Sequence, residues 1–186
     1  PAWADSFESI RKAAASVETV DARFTQAKHL KILAKPLVSH GRFAFRAPDS
    51  IRWEYERPIR SVLLMDRGEL ARFALRGGVW VPDAAARVEA MRVVVSEIQG
   101  WLIGRFEQSN TFAAKLEPGT VTRIVLSPKD PAMAEFIQQI VLTLAARPGE
   151  LEEVEIVESA TARTVLRFED SRINVDLPPD TFEPPK

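Results

Sequence analysis

The chain has few residues that could carry covalent or metal chemistry. His29 and His40 are its two histidines. Neither has the spacing of a metal site or a partner that would activate a nucleophile, so both read as surface or strand positions. Glu152, Glu153 and Glu155 are the one cluster that resembles an acid pair, and a solvated strand edge accounts for it better. The absence of cysteine removes disulfides, thiolate metal sites, thiol catalysis and a lipid-modified N-terminal Cys. No G-x-S-x-G elbow, phosphate-cradling glycine loop or zinc spacing occurs. The residues therefore predict no enzyme, no cofactor and no metal. What remains is non-covalent: an unusual set of large apolar side chains, with Phe24, Phe43, Phe45, Ile51, Trp53, Tyr55, Leu63 and Phe73 as candidates for the wall of an apolar site.

Charge adds a second clue. Residues 1–93 hold 16 Lys/Arg against 11 Asp/Glu, net +5, and residues 94–186 hold 9 against 15, net −6. A basic half suits an acidic partner or an anionic head group, and an unevenly charged solvated surface is the plainer account. Nucleic-acid platforms interleave aromatic and basic groups on one face. Here Arg42, Arg46 and Arg52 alternate with the aromatics onto the opposite face, which predicts no nucleic-acid binding.

Elements that could position these residues follow from periodicity. Phe7, Ile10, Ala14 and Val17 share a helical face, with Asp5 or Ser6 as cap and Glu8 at capping-box spacing. From Thr19 the period becomes two, and it is clearest where Ile51, Trp53 and Tyr55 alternate with Arg52, Glu54 and Glu56. Further strands fall at Ser61–Asp66, Glu69–Leu75 and Val79–Val81, joined at Arg67-Gly68 and Gly77-Gly78. Pro82-Asp83 then opens a long helix whose stripe is Val88, Met91, Val95, Ile98 and Leu102, with Trp101 beside it and a possible break at Gly100 or Gly104. Strands resume at Phe112–Glu117, Val121–Leu126, Ile137–Ala145, Leu151–Glu158 and Arg163–Glu169, with one helical turn at Pro131–Phe136. Residues 177–186, rich in proline, read as an extended tail ordered where Phe182 docks.

The pattern predicts a mainly β, α+β chain forming one domain over residues 1–186, with about eleven antiparallel strands. Two or three helices cover only part of such a sheet, and strand twist curls a sheet this large. A curled sheet lined by these aromatics, with helices across its mouth, encloses an apolar space that the side chains either line or fill. No apolar run is long enough for a membrane helix, and the N-terminus lacks the zones of a signal peptide. The chain begins at Pro1 rather than Met, which suggests a trimmed, exported form.

Several short motifs occur in a telling order: Phe24-Thr25-Gln26, Gly41 leading into Phe43-Ala44-Phe45, Ala47-Pro48-Asp49-Ser50-Ile51-Arg52-Trp53, Arg57-Pro58, Asp66-Arg67-Gly68 and Leu126-Ser127-Pro128-Lys129. Together they resemble the LolA family of periplasmic lipoprotein carriers over nearly the whole chain. The resemblance implies an open half-barrel of about eleven antiparallel strands with a lid of three helices. It also implies a monomer that takes acylated lipoprotein from an inner-membrane ABC transporter and crosses the periplasm to an outer-membrane acceptor, with only transient membrane contact. The acceptor is itself a lipoprotein with an N-terminal Cys, so the lack of Cys favours the carrier. One departure stands out. The family's lid-latching arginine precedes the proline of the tryptophan strand, where this chain has Ala47. Arg46 is one residue away and should point to the opposite face, so another lipid export system is an alternative cargo route. A lipid-sensing or protein-interaction module on the same scaffold is the other reading.

Overall fold

The computed structural model describes residues 1–186, the side chain of Ala90 excepted. A 3-10 turn at Ala2–Ala4 precedes α1 (Phe7–Ala14). Ser6 caps α1, and its capping box closes through Ser9 rather than Glu8. Six strands follow: β1 (Thr19–Leu30), β2 (Leu37–Arg46), β3 (Ser50–Arg57), β4 (Ser61–Asp66), β5 (Glu69–Arg76) and β6 (Val79–Pro82). Then come α2 (Ala85–Leu102), β7 (Phe112–Glu117), β8 (Arg123–Pro128), α3 (Pro131–Ala134), β9 (Gln139–Leu144), β10 (Leu151–Ser159) and β11 (Ala162–Ile173).

All eleven strands form one antiparallel sheet in the order β6-β5-β4-β3-β2-β1-β11-β10-β9-β8-β7. Its two edges, β6 and β7, do not pair, so this is an open half-barrel rather than a closed one. Irregularities at Asp21/Arg23, His40/Gly41, Leu151/Glu153 and Val157/Ser159 bend the strands that carry the curvature. The concave face holds the main core, from Phe45 and Ile51 on one side to Ile124, Leu126 and Leu142 on the other. The helix α2 links the two free edges in sequence and lies over this face. Among the described residues, no helix is long and apolar enough to cross a membrane.

The convex face is not uniformly wet. Val62 and Leu64 point outward on β4 and are nonetheless buried. Residues 177–186 pass over that side of the sheet. Phe182 is buried beneath the Arg46 guanidinium, 4.7 Å from the ring centroid. Arg52 donates to the carbonyl oxygens of Thr181 and Glu183, both at 3.2 Å. The tail is thus fixed at several points, not at Phe182 alone.

Candidate functional site

Strand register brings the aromatic residues into rows. On the concave face Phe43 pairs with Trp53, Trp53 with Leu63 and Leu63 with Arg72, while Gly41 pairs with Tyr55 and Tyr55 with Ser61. The Trp53 ring lies 5.2 Å from Phe24 and 5.3 Å from Phe43, and Phe168 of β11 lies 6.2 Å from Phe43 and 6.3 Å from Trp53. These tilted and edge-on contacts fix the rings as a continuous aromatic wall. The wall depends on Gly41. A Cβ there would lie 2.0 Å from the Glu54 carbonyl oxygen and 2.6 Å from Cζ of Phe24, so only hydrogen leaves room for the Phe24 ring to cross β2.

Between this wall and the helices lies a cavity of about 580 Å³. Phe43, Trp53, Tyr55 and Leu63 line it from the sheet, and Met91, Val95, Ile98, Trp101 and Leu102 line it from α2. Trp3, Ile10 and Ala14 close it beside α1, while Met133 and Ile137 reach it from the α3 side. These last five, with Phe168, escaped sequence reasoning. The alternation of Leu166 and Phe168 in β11 was the available signal for one of them.

Other candidates sit elsewhere. Phe24, Phe45 and Ile51 are on the concave face at 1%, 0% and 2% exposure, supporting the wall from within the core without lining the space. Val88 faces inward from α2 and is buried beside the cavity rather than in its lining. Phe73 requires a correction. It pairs with Val62 while Arg72 pairs with Leu63, so Phe73 is on the convex face and Arg72 on the concave one. An arginine is sustained there because its Nη1 donates to Asp83 at 2.5 Å, and the Asp83 side chain is 5% exposed.

That pair changes how the lid begins. Asp83 does not cap α2; the N-cap is Ala84, with no side-chain hydrogen bond, while Asp83 holds Arg72 and lies 3.9 Å from Arg87. The helix runs unbroken through Gly100 and ends before Gly104. It is tied to the body by Gln99 donating to the Asp49 carbonyl at 3.0 Å and Arg92 donating to that of Gly68 at 3.2 Å. Ser109 donates to Glu97. Ala47, where the sequence resemblance implies a latching arginine, has only a methyl group to offer α2. Arg46 faces the convex side and pairs with Asp66 at 3.5 Å.

One polar spot interrupts the lining. The Tyr55 hydroxyl donates to Gln26 Oε1 at 2.7 Å. Burial raises the Tyr55 pKa, and the neighbouring Trp53 indole and the Arg72 charge oppose part of the rise. By hydrogen-bond geometry the Trp53 Nε1 itself has no partner among the described residues. Tyr55 is the single tyrosine of the chain, so its ionisation can be followed directly by tyrosinate absorbance. It is expected to begin above the ordinary value of 10.0. Because the folded pKa is the higher one, Tyr55 contributes stability fully below about pH 10, lost as pH rises through the folded value. Titration at or below the ordinary value would mean the ring is not enclosed.

No curated protein sequence among those compared matches the chain. Solved structures do. A DUF1329 family protein from Desulfovibrio piger covers 96% of this chain and 98% of its own, at 11% identity and a TM-score of 0.51. A chain of the Pseudomonas aeruginosa MucA/MucB complex covers 94% of this chain and 59% of its own, at 13% identity and a TM-score of 0.55. Identities this low speak for a shared fold alone. The family model described as "Outer membrane lipoprotein carrier protein LolA" matches residues 15–185, nearly the whole of the sheet and lid described above. On that match the chain belongs to the LolA family.

Proposed function

We propose that this protein is a periplasmic carrier that holds the acyl chains of a lipoprotein, or of a related lipid, in the concave cavity and moves them from the inner to the outer membrane. An inner-membrane ABC transporter and an outer-membrane acceptor would be its partners. The observation that carries this reading is the apolar space of about 580 Å³ left between wall and lid, within the roughly 300–1,000 Å³ of sites that enclose small ligands. Burying a 16-carbon chain is worth on the order of 12 kcal/mol. A shuttle must return part of that on release, and moving a lid that covers its own apolar lining offsets it. Met91, which lines the cavity from the lid, has the flexible side chain to adapt to irregular guests.

Native mass spectrometry of protein purified from its host tests the reading. A co-purifying lipid or lipopeptide is expected. A clean apo mass would count against carriage and favour an interaction module on the same half-barrel. That second reading draws on the fold shared with the MucA/MucB complex.

A further inference from the structure

Because the sheet is antiparallel throughout, its turns lie along two rims. One rim gathers the β1–β2, β3–β4 and β5–β6 connections, since Lys28 pairs with Leu37, Tyr55 with Ser61 and Arg76 with Val79. The α3–β9 connection lies there too, as Phe112 pairs with Pro128 and Gln139 with Val157. Of the eleven large hydrophobics exposed among the described residues, seven are on this rim or on its overhang. Ile32, at 90% exposure, heads a group with Leu33, Leu37 and Val38; Ile59, Val79 and Phe136 stand at the other connections.

The β2 side of the β1–β2 hairpin also projects. Pairing of β2 with β3 stops at His40, leaving Leu37–Ser39 beyond the neighbouring strand, an overhang of roughly 10 Å. Leu37 and Val38 point to opposite faces, yet both are exposed, so the β2 side of this hairpin stands clear, while β1 stays paired with β11 as far as Leu30.

Charge on the β1–β6 part of this rim is one-sided, whereas the α3–β9 connection carries Glu135. Segments 28–38, 57–60 and 76–79 contain Lys28, Lys31, Lys35, Arg57, Arg60 and Arg76 and no acidic residue. Lys28 is 3.6 Å from Glu158 and Arg60 is 3.5 Å from Glu54. The other four are exposed and take part in no salt bridge among the described residues. The opposite-rim turns of the same strands, 47–49 and 66–69, carry Asp49, Asp66 and Glu69 against Arg67 alone.

We infer that the β1–β6 part of this rim docks on the surface of an anionic phospholipid bilayer, with the 31–38 tip entering the interface. Apolar tips among unpaired cations suit that surface, where hydrocarbon lies just beneath negative head groups. A protein partner would need to match side chains spread over three separate turns, whereas a bilayer conforms to all of them. Four unpaired cations spread over the three turns also give weak, salt-sensitive attachment, which suits contact that must be reversible. The cavity lining reaches the same rim at Ser61 and Ile137. The docking surface does not depend on what the cavity holds, so its test is separate from that of carriage.

Co-sedimentation with phosphatidylglycerol vesicles, compared with phosphatidylcholine vesicles, reads the docking. The protein is expected to pellet with the anionic vesicles and to be released by added salt. A basic residue near an anionic leaflet contributes roughly fivefold in partitioning, so Lys31→Gln with Lys35→Gln should lower binding about 25-fold. Since the chain has no cysteine, Ile32→Cys gives a single position for an environment-sensitive dye. Its emission should shift to the blue with anionic vesicles, while a dye at Asp49→Cys on the opposite rim should not respond. No pelleting with anionic vesicles, equal pelleting of the double variant, or equal response at both dye positions would overturn the inference.

Discussion

Trp53→Asp is expected to lower the affinity for a fluorescent long-chain fatty acid by roughly a hundredfold or more, while the β-sheet circular dichroism persists. The indole is the centre of the wall, within 5.2–6.3 Å of Phe24, Phe43 and Phe168. The substitution removes those contacts and places a carboxyl group against the guest's hydrocarbon, where an unpaired ionised group is costly. A loss of about 2.7 kcal/mol suffices for a hundredfold, and the combined penalties exceed that. Tyr55→Phe is the matched control, since it loses only the hydroxyl bound to Gln26 and should bind the fatty acid within a fewfold of the parent protein. If Trp53→Asp binds normally, the acyl chains do not lie on this wall.

The second large effect is expected at the root of the lid. Asp83→Ala leaves Arg72 without its carboxylate on the concave face, with Arg87 now an unbalanced neighbour. Breaking a buried pair from one side costs about 3–5 kcal/mol. Arg72 is 29% exposed, and solvent screening brings the expected cost to about 2 kcal/mol. Hydrogen exchange gives the reading: protection over residues 84–105 should fall more than protection in the central strands β1 and β2. Arg72→Met combined with Asp83→Met should recover much of the loss, because neither charge is then stranded. A uniform fall across the sheet, or no recovery in the double variant, would mean that the pair does not anchor the lid.

The strands were largely legible because alternation is a local property. Residues 50–57 read correctly from Ile51, Trp53 and Tyr55 alone, and the latch expectation at Arg46 followed from the same two-residue period. Errors arose where a distant partner decides. In β5, Phe73 next to Arg72 suggests an aromatic pointing in and a cation pointing out; the register with β4 reverses this, and Asp83 supplies the counter-charge. A warning was present in Ser61-Val62-Leu63-Leu64-Met65, where the alternation fails. A strand apolar on both sides has cover on both sides, here the core on one and the region crossed by residues 177–186 on the other. The cavity itself was not legible, because large aromatics fill a space or line it depending on packing between residues far apart in sequence. The rim's greasy tips were likewise invisible as a group until topology placed three turns side by side.

A closed barrel has its girth dictated by strand number and stagger, and this sheet escapes that rule because β6 and β7 remain strangers. Its width can change through small adjustments of coil and twist, without breaking a single ladder hydrogen bond. The span of α2 and its loops, with the ties from Gln99 and Arg92 to the sheet, limits how far the margins part. Under the proposed carriage such a vessel has no one capacity, and guests of different bulk could share it.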